Sequence, residues 1–275
     1  GTLTFNLDPN SYAMVIQNAK INISDLGTFT SIMPSHITMS GSDKAKIYKG
    51  HLEIDENSNI DASATTNTKF RDLLVSSSRV TISGGKTVTG TEANLIGIGQ
   101  ENDNIAGISN VDMALTNNGT IVLSGLNSTG MYTSYGSLNN NVSGMIKVSA
   151  NGVGLYGTRG TQTTNIGEIE FGDGGVGIYG ANLTPGSTPT YGTPDITITH
   201  SGLIESIGTT KAFGIVADNT TGVSNVTMSA GSNIDLSSVT GAAQGDLIGV
   251  YVKNSTLTSA GDISIGKNGI AMYSE

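Results

Sequence analysis

Glu168 and Glu170 stand two residues apart in Gly167-Glu168-Ile169-Glu170-Phe171. On a strand they would share one face at ~7 Å, from the strand rise. That spacing falls inside the ~5–9.5 Å window that glycoside hydrolysis demands of a carboxylate pair. Their surroundings supply no matched partner, and the chain has no Asn-Thr-Asp, Asp-Asp or Asp-x-Asp. A lyase would need a basic residue beside Ca²⁺-binding carboxylates, yet the only arginines, Arg71, Arg79 and Arg159, have no acidic clusters near them. The histidines, His36, His51 and His200, are far apart, no Ser or carboxylate pattern completes a triad, and they read as isolated surface residues. Glu101-Asn102-Asp103-Asn104 offers oxygens to Ca²⁺ but reads as a polar loop. Gly172-Asp173-Gly174-Gly175 lacks the nonapeptide period of Gly-rich Ca²⁺ repeats and reads as a turn. These residues predict no catalytic set, no metal and no cofactor.

Recognition chemistry is better represented. Tyr132, Tyr156 and Tyr179 each close the same short phrase, while Tyr135 and Tyr191 fall outside its period. Aromatic rings aligned on a surface make a platform for sugar rings or for a protein partner. A structural alternative is that each ring shields a neighbouring glycine. The off-period Tyr135 and Tyr191 are the stronger recognition candidates, because recognition sites are usually local.

The elements that must carry these residues are short strands. Ile outnumbers Leu, helix-type apolar spacing is not sustained anywhere, and alternation such as Asp195-Ile196-Thr197-Ile198-Thr199 recurs. The phrase apolar-Gly-apolar-aromatic appears as Thr129-Gly130-Met131-Tyr132, Val153-Gly154-Leu155-Tyr156, Val176-Gly177-Ile178-Tyr179, Phe213-Gly214-Ile215-Val216, Ile248-Gly249-Val250-Tyr251 and Ile270-Ala271-Met272-Tyr273. A second phrase, Gly-x-Ile-x-apolar, precedes it, as in Gly119 to Leu123, Gly144 to Val148 and Gly261 to Ile265, and a third alternating segment comes before that. Three strands in ~22–24 residues make one coil of a parallel β-helix. Roughly twelve coils would make a rod of ~55–60 Å at the strand spacing. Period-2 alternation predicts Val153 and Leu155 inside, with Val176/Ile178, Phe213/Ile215 and Ile248/Val250 likewise, and Gly154, Gly177, Gly214 and Gly249 outside beside the tyrosines.

The whole of 1–275 reads as a single β-helix segment, with irregular coils over 1–93 and regular coils over 94–275. Insertions near 180–195 and 237–246 should leave the coil as surface loops. A chain with no Cys can hold neither disulfides nor thiolate zinc. With 13 Lys+Arg against 22 Asp+Glu, its net charge of −9 speaks against nucleic acid and anionic lipid. No apolar run is long enough to span a bilayer, and Gly1-Thr2-Leu3-Thr4-Phe5 lacks signal-peptide architecture.

The phrases Asn-x-Gly-x-Ile and Gly-x-Gly-Ile-Tyr, with Gly175 to Tyr179 and Gly269 to Tyr273 as examples, resemble the passenger domains of type V autotransporters. The likeness is to the large outer-membrane adhesins of fusobacteria, and it covers about residues 94–275. It implies a right-handed β-helix and export across two membranes as an unfolded chain. It further implies a monomeric rod at the surface of a Gram-negative cell, or secreted, that binds a glycan or protein receptor on host or bacterial cells. The family's C-terminal barrel has no counterpart here, so the chain is expected to be an excised passenger segment. A polysaccharide-degrading β-helix enzyme and a purely structural stalk are the alternatives.

Overall fold

The computed structural model describes the strands between residues 3 and 82 and, beyond them, residues 84–91, 93–101, 114–134, 136–182, 196–219 and 224–275. The chain is a right-handed parallel β-helix, all β, in which three parallel sheets run the length of the coil stack. Each complete coil gives one strand to each sheet. The first, here called the asparagine sheet, contains Ala114–Asn117, Ser137–Asn140, Gln162–Asn165 and Thr197–His200. The acidic sheet contains Thr120–Leu123, Met145–Val148, Glu168–Phe171, Leu203–Ser206 and Asn233–Leu236. The tyrosine sheet contains Thr129–Ser134, Val153–Thr158, Gly175–Asn182, Ala212–Asn219, Leu247–Lys253 and Ile270–Ser274. They hold 9, 9 and 10 strands, the earliest being Lys20–Asn22, Ser31–Ile32 and Tyr12–Gln17. Among the described residues there are therefore at most ten coils, not twelve, because the longer steps go into excursions between strands.

Strands of successive coils pair in register, like on like: Tyr132 with Tyr156, Tyr156 with Tyr179, Ile146 with Ile169 and Ile169 with Ile204. The interior is a narrow aliphatic column including Ile121, Ile146, Leu155, Ile178, Ile198 and Val250, with Phe171 its largest side chain. Corners repeat as well. Asn94, Asn127 and Asn151 take the left-handed backbone conformation, φ 60°, 57° and 54°, which Asn tolerates better than most residues, and Gly174 (φ 72°) holds the place in the next coil.

The alternation in the tyrosine sheet departs from the sequence-based expectation. Leu155, Ile178, Ile215 and Val250 are interior, as expected. Gly154, Gly177, Gly214 and Gly249 also face inward, while Val153, Val176 and Phe213 lie on the outer face with the tyrosines, and Ile248 borders that face although buried. Two consecutive inward residues bend each strand, and period 2 fails across the bend. A Cβ on Gly154 would fall 2.4 Å from Ile169 Cγ2 and 2.6 Å from the Gly177 carbonyl oxygen. The same clash recurs from Gly97 to Gly249, each time against an isoleucine of the following coil.

The second insertion also differs from expectation. Residues 237–246 do not simply leave the coil, because Val239 and Ala242 are buried in the core. Of the first insertion, residues 183–195 lie outside the described residues.

Inside the asparagine sheet runs a column of buried amides. Asn117 Nδ2 donates to Asn140 Oδ1 at 2.9 Å, Asn140 Nδ2 to Asn165 Oδ1 at 2.8 Å, and Asn165 Nδ2 reaches His200 Nδ1 at 3.2 Å. His200 Nε2 faces the Asn233 carbonyl at 3.1 Å, so the partners assign a neutral ring, protonated on Nε2. His200 is fully buried, which corrects the reading of an exposed histidine. Burial holds its imidazole below the ordinary value of 6.5, against the opposing pull of its contacts with Asn233 and Asn165.

Two outcomes follow. Gly154→Ala should cost ~1–3 kcal/mol through overpacking, read as a lower urea midpoint. For His200, the unfolded chain takes up a proton below pH 6.5 that the folded chain resists. Its contribution is intact above that value and declines as pH falls toward the folded value. His200→Asn, which continues the amide column, should flatten the fall in melting temperature between neutral and mildly acidic pH.

Candidate functional site

The outer face of the tyrosine sheet is where the repeated aromatics converge. In each strand the bend at the inward glycine separates two outward positions. One carries Val153, Val176, Phe213 and Ile248. The other carries Tyr132, Tyr156, Tyr179, Val216, Tyr251 and Tyr273. Tyr132 and Tyr156 have ring centroids 5.3 Å apart and Tyr156 and Tyr179 5.1 Å, both tilted, while Tyr251 and Tyr273 stack at 5.7 Å. Such contacts each contribute about 0.5–1.5 kcal/mol beyond area burial. The ladder therefore stabilises the rod and also presents ring edges to solvent. Since the glycines face inward, these rings do not shield them, which corrects that structural alternative.

The ladder has one break. Val216 stands where the repeat would place a tyrosine, between Tyr179 and Tyr251. The missing ring leaves a groove of about 350 Å³ lined by Val176, Tyr179, Phe213, Val216, Asp218, Ile248 and Tyr251. Asp218 is the only ionisable carboxylate in that lining, and its Oδ1 is buried without a hydrogen-bond partner. The lysines nearby are already engaged. Lys211 Nζ lies 3.2 Å from Asp246 Oδ1 and 5.4 Å from the Phe213 ring centre, and Lys253 Nζ lies 3.8 Å from Glu275 Oε1.

The phenols register this environment. Burial raises Tyr156 and Tyr179 above the ordinary value of 10.0, with Tyr132 adding at the first, and Asp218 and Tyr156 at the second. Tyr251 is pushed up to about 12 by desolvation and by donating to Glu275 Oε2 at 2.8 Å.

Of the residues picked out from sequence, Tyr132, Tyr156 and Tyr179 come together in one ladder. Tyr135 and Tyr191 lie outside the described residues, as do His36, Arg71 and Asn102-Asp103-Asn104. Arg159 sits in a turn with φ 55°. Glu168 and Glu170 do share the outer face of the acidic sheet, but Glu170 Oε2 accepts from Lys147 Nζ at 2.8 Å. The column continues through Glu205 and Asp235, and burial together with Asp235 and Glu170 raises the carboxyl of Glu205. Asp173 lies in a turn, as its glycine-rich surroundings predict, and its Oδ1 accepts from the backbone N–H of Thr209 and Thr210 at 2.6 and 2.7 Å. These bonds, that from Thr210 foremost, hold its carboxyl below the ordinary value. The sequence reading missed Asp218 and the break beside it. The break was visible as Val216 in Phe213-Gly214-Ile215-Val216, whereas no local pattern marks the orphaned carboxylate.

Comparison with family models gives no match, and comparisons with curated proteins and with solved structures give none either.

The raised phenols have a measurable consequence. Their contribution to stability is intact below pH 10 and is lost as pH rises through their folded values, about 12 for Tyr251. Alkaline titration followed by phenolate absorbance should show a group of tyrosines titrating above 10, with Glu275→Gln lowering the latest of them.

Proposed function

We propose that this chain is a segment of a surface-displayed adhesion rod, of the autotransporter passenger kind, whose tyrosine sheet meets a receptor on host or partner bacterial cells. The observation that carries this reading is an outer face of aligned aromatics, built on a rigid repeat and interrupted by one apolar groove with an unsatisfied carboxylate. An aromatic patch of this kind can anchor binding, because rings bury large area at little entropic cost. The net charge of −9 favours a soluble rod that repels other acidic surfaces. A carbohydrate-cleaving role has less support, since Lys147 already holds the Glu170 carboxylate such a role would use. A stalk role draws support from the rings packing on one another, which gives them a use without any partner.

Beads coated with the purified chain should attach to target cells, and Tyr179→Ala should reduce attachment several-fold while the circular dichroism of the fold is retained. Attachment that is insensitive to substitutions along the tyrosine sheet would place binding elsewhere. No attachment to any cell type, where a longer parent chain does attach, would identify this part as a stalk.

A further inference from the structure

The groove at the break in the tyrosine ladder joins two aromatic rings, an apolar wall and one carboxylate. Tyr179 and Tyr251 are two coils apart, about 9.6 Å at ~4.8 Å per coil. A group held midway lies about 5 Å from each ring, inside the ~6 Å reach of a cation–π contact. Val176, Val216 and Ile248 offer only apolar contact and suit an alkyl stem. The remaining polar feature is the Asp218 carboxylate, whose buried Oδ1 has a lone pair and no donor. A buried acceptor left unsatisfied is costly, and a charged donor recovers the most. The neighbouring cations do not fill this role, because Lys211 and Lys253 are engaged by Asp246 and Glu275. A sugar would bring several hydroxyls against a wall whose only polar groups are the Asp218 carboxylate and the two phenols, of which that of Tyr251 is already engaged by Glu275.

From this geometry we propose that the groove receives a lysine or arginine side chain of a protein partner. The stem packs on Val176, Val216 and Ile248, and the cationic head sits between Tyr179 and Tyr251 against Asp218. This deepens the adhesion reading by naming the chemistry of the receptor, and it rests on that reading only for its biological setting.

The test uses the purified chain and small ligands. Because the protein has no Trp, its intrinsic emission comes from its nine tyrosines, five of which stand in the ladder. Titration with Nα-acetyl-arginine amide and Nα-acetyl-lysine amide should give saturable binding in the millimolar range. Nα-acetyl-citrulline amide, which has nearly the shape of the arginine ligand without its charge, should bind at least about tenfold more weakly. Asp218→Asn should weaken the cationic ligands by about tenfold or more. Val216→Tyr, which restores the repeat and fills the gap, should abolish binding with the fold intact by circular dichroism. Equal binding of citrulline and arginine, or unchanged affinity in Asp218→Asn, would overturn the proposal. So would saturable binding of galactose or N-acetylglucosamine that Val216→Tyr removes, since it would assign the groove to a glycan. Ligand binding without cell attachment would sink the adhesion reading and leave the groove standing. Cell attachment without ligand binding would do the reverse.

Discussion

The bend glycines of the tyrosine sheet, Gly97, Gly130, Gly154, Gly177, Gly214 and Gly249, each face the methyl group of an isoleucine in the following coil, and the coil spacing depends on that contact. Ile146 Cγ2 would stand 2.5 Å from a Cβ on Gly130, Ile169 Cγ2 2.4 Å from one on Gly154, and Ile204 Cγ2 2.5 Å from one on Gly177. The glycine carbonyl of the next coil closes the same space, at 2.6–2.7 Å in these three cases. Both sheets must be in register for the fit to occur, so one contact fixes the pairing of two. It also explains why the two repeated sequence phrases travel together. The glycine of one phrase is the socket for the isoleucine of the other, and a coil lacking either would leave a void or a clash.

The bend that seats the glycine shapes the outer surface as well. With Gly and the next apolar residue both inward, the flanking positions are pushed outward, and Val153, Val176 and Phe213 join the tyrosines outside the core. The outer face is consequently more apolar than alternation would allow. Where every coil supplies a ring, this surface is consumed by ring–ring contact. Where Val216 replaces the ring, the same surface remains open. A single omission thus turns a stabilising repeat into an open groove.

The repeat, the parallel β-helix and the inward course of Leu155, Ile178, Ile215 and Val250 were legible because in-register stacking forces like residues to recur. The orientation of Gly154 was not, since apolar-Gly-apolar-Tyr reads the same to a period-2 rule whether or not the strand bends. His200 was missed for a different reason. It lies 35 residues after Asn165, a step longer than the ~22–24-residue coil. Yet His200-Ser201-Gly202 aligns with Asn165-Ile166-Gly167 and Asn117-Asn118-Gly119, and the shared glycine two residues on was the available signal. The core contacts of Val239 and Ala242 had no such signal, because an insertion carries no repeat to compare.

The buried amide column has a direction. Every Nδ2 from Asn117 to Asn165 donates toward the C-terminal end, and the last meets an imidazole nitrogen that must accept. A proton on His200 Nδ1 would set donor against donor. Asn165 could relieve this only by turning its amide over, which would point its own donor at Asn140, and so on along the stack to Asn117. The rod therefore contains a polar column with one donor sense, about 14 Å long at ~4.8 Å per coil, which crosses three coil boundaries and ends on a ring nitrogen that accepts.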